Sequence, residues 1–193
     1  MILAKPLLIG SLSQLLRILE RAIGHRLSML RSVLNIPSDS ATPVKLFHLS
    51  FRDFLVGPKN RETNLFWVDE ERAHERLATK CLNLLSERNY LKKDICGLQM
   101  PGKRREEIKQ KVILECLPSE VQYACLYWIY HLKGSKRKVR DGDEVHRFLE
   151  RYLLQWLEAL SLIGRISESI GLIDGLQSLM DVSYSAMHAL ASA

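Results

Sequence analysis

The chain has 193 residues and a mass of 22.2 kDa, and its 28 Lys and Arg against 22 Asp and Glu give a formal net charge of +6. Hydrophobic residues make up 47% and charged residues 26%, which is typical of a globular protein and not of a disordered one. No apolar run reaches the roughly 18 residues of a membrane span. The apolar start carries Lys5 inside the run and lacks the basic region of a signal peptide. We therefore expect a soluble, cytoplasmic, helical protein with no membrane partner.

Two amphipathic helices are predicted near the N-terminus. Leucines spaced by three, four and seven residues follow Ser11, and a second apolar stripe runs over residues 22–34. Residues 37–43 are rich in Pro, Ser and Asp, which predicts a turn or loop after the second helix.

A short strand and a short helix are predicted next. Residues 44–48 alternate in part between apolar and polar side chains, which is typical of a strand. We expect Ser50 to cap a helix over residues 51–56 that ends at Gly57 and Pro58. Two helices, a loop, a strand and a further helix outline a winged-helix module.

The rest of the chain is predicted to be almost entirely helical. Helices are expected over residues 70–89, over residues 106–116, and from Pro118 onward. Asp141 and Glu144 resemble a capping box that opens a further helix, which Gly164 ends or kinks, and helix continues to Met187 with Gly171 and Gly175 as weak points. The predicted inward-facing side chains are Ala73, Leu77, Cys81, Leu84, Leu85, Val121, Ala124, Cys125, Trp128, Leu132, Val145, Phe148, Leu149, Tyr152, Leu153 and Trp156.

These elements predict a mainly α fold with two parts. A small winged-helix module occupies residues 1–60, and a bundle of stacked helical hairpins occupies residues 61–193.

The four cysteines are expected to be structural thiols. Cys81, Cys96, Cys116 and Cys125 form no C-x-x-C pair, and Cys81 and Cys125 lie on apolar helical stripes. Disulfides or metal binding carry less weight.

The motifs of common enzymes are absent from the sequence. It contains no G-x-x-x-x-G-K-S/T, G-x-G-x-x-G, H-E-x-x-H or G-x-S-x-G. The histidines are scattered without metal-ligand spacing, and the acidic pairs at 70–71 and 106–107 are sequence neighbours that point in different directions on a helix. We expect no catalytic residues, no metal site and no enzymatic activity in this chain.

The sequence has two basic segments, residues 103–105 and 133–140, and the second has the composition of a run that contacts phosphates or serves as a nuclear import signal. No aromatic side chains interleave the second segment to stack on bases. A solvated basic loop is therefore the favoured interpretation.

His48 is the histidine in the most informative position, because it ends the apolar strand and precedes LSFRDFL (residues 49–55). From composition alone, a histidine that packs without a binding role is favoured.

The same segment resembles a known family. VKLFHLSFRDFL (residues 44–55) is similar to the winged-helix signature of the fungal NOD-like receptors, which are signal-transducing NTPases built around a NACHT domain. Further segments resemble this family in the same order: SVLNIP (32–37), FWVDEERAHERLATKCL (66–82), KDICGL (93–98), LPSEVQYACLYWIYHL (117–132) and FLERYLLQWLEALSLIGRISESI (148–170).

The resemblance implies a function. In this family the winged helix packs against the nucleotide-binding core, and the helices that follow lead to a sensor array of repeats. The family implies signal transduction in self/non-self recognition, including heterokaryon incompatibility and innate immunity. In related switch proteins the histidine of the F-x-H-x-S-F motif contacts the β-phosphate of ADP, and by position that residue is His48.

The sequence also departs from the family, since it contains no NACHT core, effector domain or repeat sensor. We expect a receptor fragment or a gene remnant that carries no cofactor itself, with ADP or ATP bound in a core outside this chain. The expected function is a non-catalytic regulatory and interaction segment that couples such a core to a sensor, with the core, the sensor and other receptor copies as partners.

A nucleic-acid-binding winged helix is the alternative function. It rests on the net charge of +6 and on a modest basic set in the second predicted helix, namely Arg21, His25, Arg26 and Arg31.

Overall fold

A computed structural model describes residues 2–36, 42–87, 90–99 and 102–180, except for the side chain of Leu49. The described chain is mainly helical, with a two-stranded sheet near its N-terminus, which confirms the predicted fold class. Within the described residues, no helix is both long enough and apolar enough to cross a membrane.

The predicted N-terminal elements form in the predicted order, and the structure adds a strand, β1 (Leu34–Asn35), that was not predicted. They are α1 (Ile9–Leu16), α2 (Glu20–Ser28), β1 (Leu34–Asn35), β2 (Lys45–Leu46), α3 (Leu49–Val56) and a 3₁₀ turn (Pro58–Asn60). The two strands are antiparallel, with Leu34 opposite Leu46 and Asn35 opposite Lys45. Most of the predicted loop, residues 37–41, lies outside the described residues.

The second helix is shorter than predicted. It ends at Ser28, and turns lead from Met29 to β1, where Leu34 is buried. Pairing with β2 places Leu34 in a strand because tertiary contacts override a short helical pattern.

The helical region follows the predicted outline. It contains α4 (Glu70–Ser86), a 3₁₀ turn (Arg105–Glu107), α5 (Gln110–Cys116), α6 (Ser119–Gly134), α7 (Glu144–Ile163), a 3₁₀ turn (Ile166–Glu168) and α8 (Ser169–Gln177). Three predicted bounds are wrong: α4 ends at Ser86 and not near Asn89, the helix predicted over 106–116 is divided into a 3₁₀ turn and α5, and α8 ends at Gln177. The rest of the helix predicted up to Met187, residues 181–187, lies outside the described residues.

Two helix caps differ from prediction. Asp143, not Asp141, caps α7, because its Oδ1 accepts the backbone N–H of His146 at 2.9 Å. His48, not Ser50, caps α3. The predicted stop at Gly164 is confirmed, since this residue ends α7 at φ +79°, a left-handed conformation that favours glycine.

The hydrophobic core lies between α4, α6 and α7. Trp128 and Trp156 are fully buried and meet edge to face at 5.7 Å between ring centroids. The Trp156 indole N–H donates to the carbonyl of Cys125 at 2.9 Å. Most predicted core residues are buried, while Ala73, Leu77, Tyr152 and Leu153 are half-buried.

The N-terminal segment packs on this same core. Leu15 of α1 belongs to the buried cluster, and Leu3 and Leu7 pack against it. The predicted division of the chain after residue 60 stays a prediction.

Candidate functional site

His48 is held at the junction of β2 and α3. Its backbone is extended, and its Nδ1 accepts the backbone N–H of Ser50 at 3.1 Å and lies 2.8 Å from the Ser50 hydroxyl. An imidazole that accepts at Nδ1 carries its proton at Nε2 when it is neutral. The side chain is exposed, so its Nε2–H is a donor at the protein surface. The hydrogen bond of the helix cap orients the ring.

Contacts join α3 and the segment after it, residues 57–69, to the start of α4. Arg52 forms a hydrogen-bonded ion pair with Glu70 in the first turn of α4. The Trp67 indole N–H donates to the carbonyl of Gly57 at 3.1 Å, and the Arg61 guanidinium lies 5.4 Å from the centroid of the Trp67 ring. The position of α3, and therefore of His48, is thus tied to the start of the helical region.

A cleft of about 530 Å³ separates this segment from the helices. Trp67, Glu71, His74, Gly134 and Lys136 are among its lining residues.

The basic segment 133–140 runs from the end of α6 towards α7, and several of its charged side chains form ion pairs or hydrogen bonds within the chain. Lys136 pairs with Glu71 of α4, and Arg137 lies 3.9 Å from Glu75 and 3.6 Å from Asp143. The Lys138 ammonium donates to the carbonyl of Ser178 at 3.3 Å.

Backbone contacts complete this connection. Val139 is buried, and its N–H donates to the carbonyl of Leu179 at 2.9 Å. The predicted solvated loop is therefore wrong in part: Lys136 and Lys138 are exposed, but the segment links α4, the start of α7 and the end of α8.

A largely buried chain of hydrogen bonds, which the sequence did not predict, joins α4, α6 and the N-terminal segment. Nδ1 of His74 in α4 lies 2.9 Å from Nδ1 of His131 in α6, and Nε2 of His131 lies 2.7 Å from the Tyr123 hydroxyl. The backbone N–H of Ala4 donates to the same hydroxyl at 3.1 Å. His131 is fully buried and His74 is 5% exposed.

Burial is the main cause of the pKa shifts of His74, Tyr123 and His131. Desolvation lowers the pKa of His131 to about 4, with a further lowering from His74. Desolvation also lowers the pKa of His74, against an opposing effect of Glu70. Burial raises the pKa of Tyr123, so its hydroxyl keeps its proton.

A signal for these histidines does exist in the sequence. His131 follows Trp128 by three residues and Ala124 by seven, and His74 precedes Ala78 by four and Cys81 by seven. Both therefore lie on the apolar stripe of their helix, where a polar side chain needs a buried partner.

The four cysteines are free thiols. Burial raises the pKa of Cys125 to about 12 and also raises that of Cys81, so both stay protonated at neutral pH. Within the described part of the chain, no three His, Cys, Asp or Glu side chains are grouped so that they could hold a metal ion.

Comparison with known proteins gives one informative relative. The chain is similar to vegetative incompatibility protein HET-E-1 of Podospora anserina, with 31% identity over an alignment of 156 residues. The alignment covers 71% of this chain but only 11% of that relative, so the chain spans about a tenth of its length. No family model matches the chain, and no solved structure matches it. The similarity supports the resemblance to fungal incompatibility receptors.

Proposed function

We propose that this chain is a regulatory and interaction segment of a fungal NOD-like receptor, without catalytic activity of its own. The observation that carries the proposal is the similarity to a vegetative incompatibility protein across 71% of the chain. Vegetative incompatibility is a form of self/non-self recognition, and the collinear motifs of residues 32–170 point to the same receptor family.

The proposed role of residues 1–60 is that of a winged helix that faces a nucleotide-binding core. His48 fits one contact in such a site. The helix cap uses Nδ1, so the neutral ring offers its Nε2–H to an acceptor such as a phosphate oxygen. A single donor does not form a nucleotide site, and the sequence contains no phosphate loop. The other contacts to ADP or ATP are therefore assigned to a core domain outside this chain.

The proposed role of the helical region is to connect that core to a sensor. Its core is closed around Trp128 and Trp156, and its basic connection links α4, α7 and α8 through ion pairs and backbone contacts. Protein interiors are densely packed and resist deformation. We therefore expect this unit to move as one rigid body when one part of it is displaced. The ion pair between Arg52 and Glu70 joins the helical region to α3. In this proposal, a movement of α3 at His48 therefore displaces α4 as well.

The test measures ADP release from a receptor that has an intact nucleotide-binding core. In this receptor the present chain replaces the segment that aligns with it. We expect His48→Ala to speed the release of ADP and to favour activation without a stimulus. Because alanine also removes the α3 cap, which is worth about 0.5–2 kcal/mol, His48→Ser is the matched variant that restores the cap with a side chain too short to replace Nε2–H.

Fast ADP release in both variants supports a contact between the ring and the nucleotide. An exposed control, His25→Ala, should leave the release rate unchanged. If His48→Ser behaves as wild type, the residue acts only as a cap, and unchanged release in both variants contradicts any role in holding ADP.

A further inference from the structure

Two of the four free thiols lie in contact in the helical region. Cys96 belongs to the segment that follows α4, and Cys116 is the last residue of α5. The two thiols form a side-chain hydrogen bond with each other. Both side chains are half-buried and pack against the hydrophobic core. The fold therefore places two thiols side by side at a position that a small molecule in solution can reach.

Residues next to each cysteine hold the two segments in place. The backbone N–H of Ile95 donates to Oε1 of Glu158 in α7 at 2.8 Å, and the Ile95 side chain is buried. Leu117 follows Cys116 directly and is fully buried. Cys96 and Cys116 each adjoin an anchored residue, so the contact between them follows from the packing of two segments that are distant in sequence.

The environment of Cys96 decides which sulfur attacks first. Burial, and then the neighbouring Cys116, raise the pKa of Cys96 to about 12. The Cys96 thiol therefore keeps its proton at neutral pH and can donate it to a thiolate at Cys116. Such a hydrogen bond stabilises the thiolate, which is the form of cysteine that attacks a disulfide. Cys116 is therefore the nucleophile of the pair, and Cys96 is the second thiol, which closes the bond.

We propose that Cys96 and Cys116 form a thiol–disulfide exchange site, which a low-molecular-weight disulfide converts into an intramolecular disulfide. The Cys116 thiolate attacks one sulfur of this reagent, which forms a mixed disulfide and releases one small thiolate. The Cys96 thiol then loses its proton, and its sulfur attacks the Cys116 sulfur and releases the second small thiolate. Two protein thiols are thereby oxidised to one disulfide, the reagent is reduced to two thiols, and the two protons end on those thiols.

The disulfide closes a covalent loop from residue 96 to residue 116. This loop contains the 3₁₀ turn (Arg105–Glu107) and α5, so the new bond ties the segment after α4 to the end of α5. Excess thiol breaks such a bond again, so the tie depends on the ratio of thiol to disulfide around the protein. The pair therefore gives the chain a response to oxidation that is independent of the receptor role proposed above.

Cys81 and Cys125 provide a comparison within the same chain. They lie in α4 and α6, and burial, with a smaller effect of Cys125, raises the pKa of Cys81, so the two sulfurs lie near each other. Both are completely buried, so a dissolved disulfide cannot reach either sulfur while the chain is folded. We therefore expect this pair to stay reduced, because it has proximity without access, whereas Cys96 and Cys116 have both.

The experiment exposes the full folded chain to oxidised glutathione at about pH 8, where thiol–disulfide exchange is faster than at neutral pH. After an acid quench, the remaining thiols are blocked with an alkylating agent in denaturant, and mass spectrometry identifies the blocked cysteines. We expect the chain to lose the mass of two hydrogen atoms, with Cys96 joined to Cys116 and with Cys81 and Cys125 blocked. Excess dithiothreitol should reverse the change.

Single variants separate the two steps of the reaction. Cys96→Ser should stop at a mixed disulfide between Cys116 and glutathione, because no second thiol is in contact with it. Cys116→Ser should react at least about tenfold more slowly than Cys96→Ser, because the thiol of Cys96 keeps its proton. Equal rates in the two variants would overturn the assignment of Cys116 as the nucleophile.

Wild type is itself the main sample, so the test does not depend on the folding of either variant. Free thiols at both Cys96 and Cys116, under conditions that oxidise free cysteine in the same tube, overturn the proposal. A mixed disulfide that persists on Cys116 of wild type also overturns it, because the thiol of Cys96 then fails to attack. So does a disulfide that includes Cys81 or Cys125, because the folded arrangement then does not select the pair.

Discussion

The helical region and residues 18–66 differ in how far they bury their large apolar side chains. From α4 to α8, the described chain buries most of its large apolar residues in one core that contains both buried tryptophans, and those left exposed are Leu114, Tyr130, Leu154, Ile166 and Ile170. Residues 18–66 bury Ile23 and Leu34 but leave many large apolar side chains exposed. These are Ile18, Leu19, Met29, Leu30, Phe47, Phe54, Leu65 and Phe66.

The difference indicates where the chain leaves apolar surface uncovered. Soluble monomers seldom leave a large apolar surface in one stretch of sequence unless that surface meets a partner. Most large apolar side chains of the helical region are covered within the chain, whereas residues 18–66 leave eight of them exposed. A winged helix that packs on a separate core, as proposed above, would have this property.

The largest expected effect is on the core of the helical region. Trp156→Ala removes a fully buried side chain and its hydrogen bond to Cys125, so we expect a loss of about 3–5 kcal/mol in the free energy of unfolding. Leu154→Ala on the same helix is the control, because Leu154 is 65% exposed and its loss should cost less than about 0.5 kcal/mol. Chemical denaturation measures both, and similar midpoints for the two variants would contradict the burial of Trp156.

The pH dependence of stability comes next in size. The pKa of His131 falls from 6.5 to about 4 on folding and that of His74 also falls, so between these values the unfolded chain binds more protons than the folded one. Stability is therefore complete above about pH 6.5 and is lost as the pH decreases towards about 4, by at most about 1.4 kcal/mol per pH unit for each histidine.

The pKa of Asp94 is also lowered, but it acts at lower pH. The backbone N–H groups of Gln99 and Leu98 hold the pKa of Asp94 below its usual 3.8, so its contribution is lost only at lower pH. Denaturation at several pH values should show the slope in wild type and in His25→Gln, and a smaller slope in His131→Phe. A flat profile above pH 4.5 in wild type would show that the histidines are not buried as neutral rings.

A smaller effect is expected at the end of α7. Gly164 has φ +79°, so Gly164→Ala forces a side chain into a left-handed conformation at a cost of about 1 kcal/mol. Gly171→Ala, in the helical conformation and exposed, should instead leave stability unchanged or raise it slightly. The two melting temperatures distinguish strain at Gly164 from a general effect of alanine, and equal shifts would contradict it.

The smallest effect on stability is expected where apolar side chains are exposed. Leu65 is 99% exposed and Phe66 is 71% exposed, so the double change Leu65→Ser and Phe66→Ser should alter the free energy of unfolding by less than about 0.5 kcal/mol. The same change should reduce self-association and dye binding, which report exposed apolar surface. A large loss of stability would mean that these side chains belong to a core.

How much the sequence could predict differs between the same two regions. The helical region was predicted well because α4, α6 and α7 each present a long apolar stripe to one core. In the N-terminal region the elements are short, so one strand pairing decides the conformation of Leu34. Caps shifted by two residues, from Ser50 to His48 and from Asp141 to Asp143, because several side chains near a helix start can accept the same N–H groups.

The contacts that define the candidate sites were less predictable. His74 and His131 are 57 residues apart, and Lys136 and Glu71 are separated by 65 positions, so only the tertiary fold brings them together. The orientation of the His48 ring also depends on its own helix cap, which periodicity does not reveal. The proposed nucleotide contact of His48 stays a prediction.

The contrast between the two regions can be tested by native-state hydrogen exchange of the full chain at neutral pH. The account predicts that amides in α4, α6 and α7 exchange only through global unfolding, whereas those in α2 and α3 exchange through local opening at a lower free energy. Addition of a partner core that covers residues 18–66 should then slow α2 and α3 selectively. Amides of α2 and α3 that are as protected as those of α6 in the isolated chain would contradict the account.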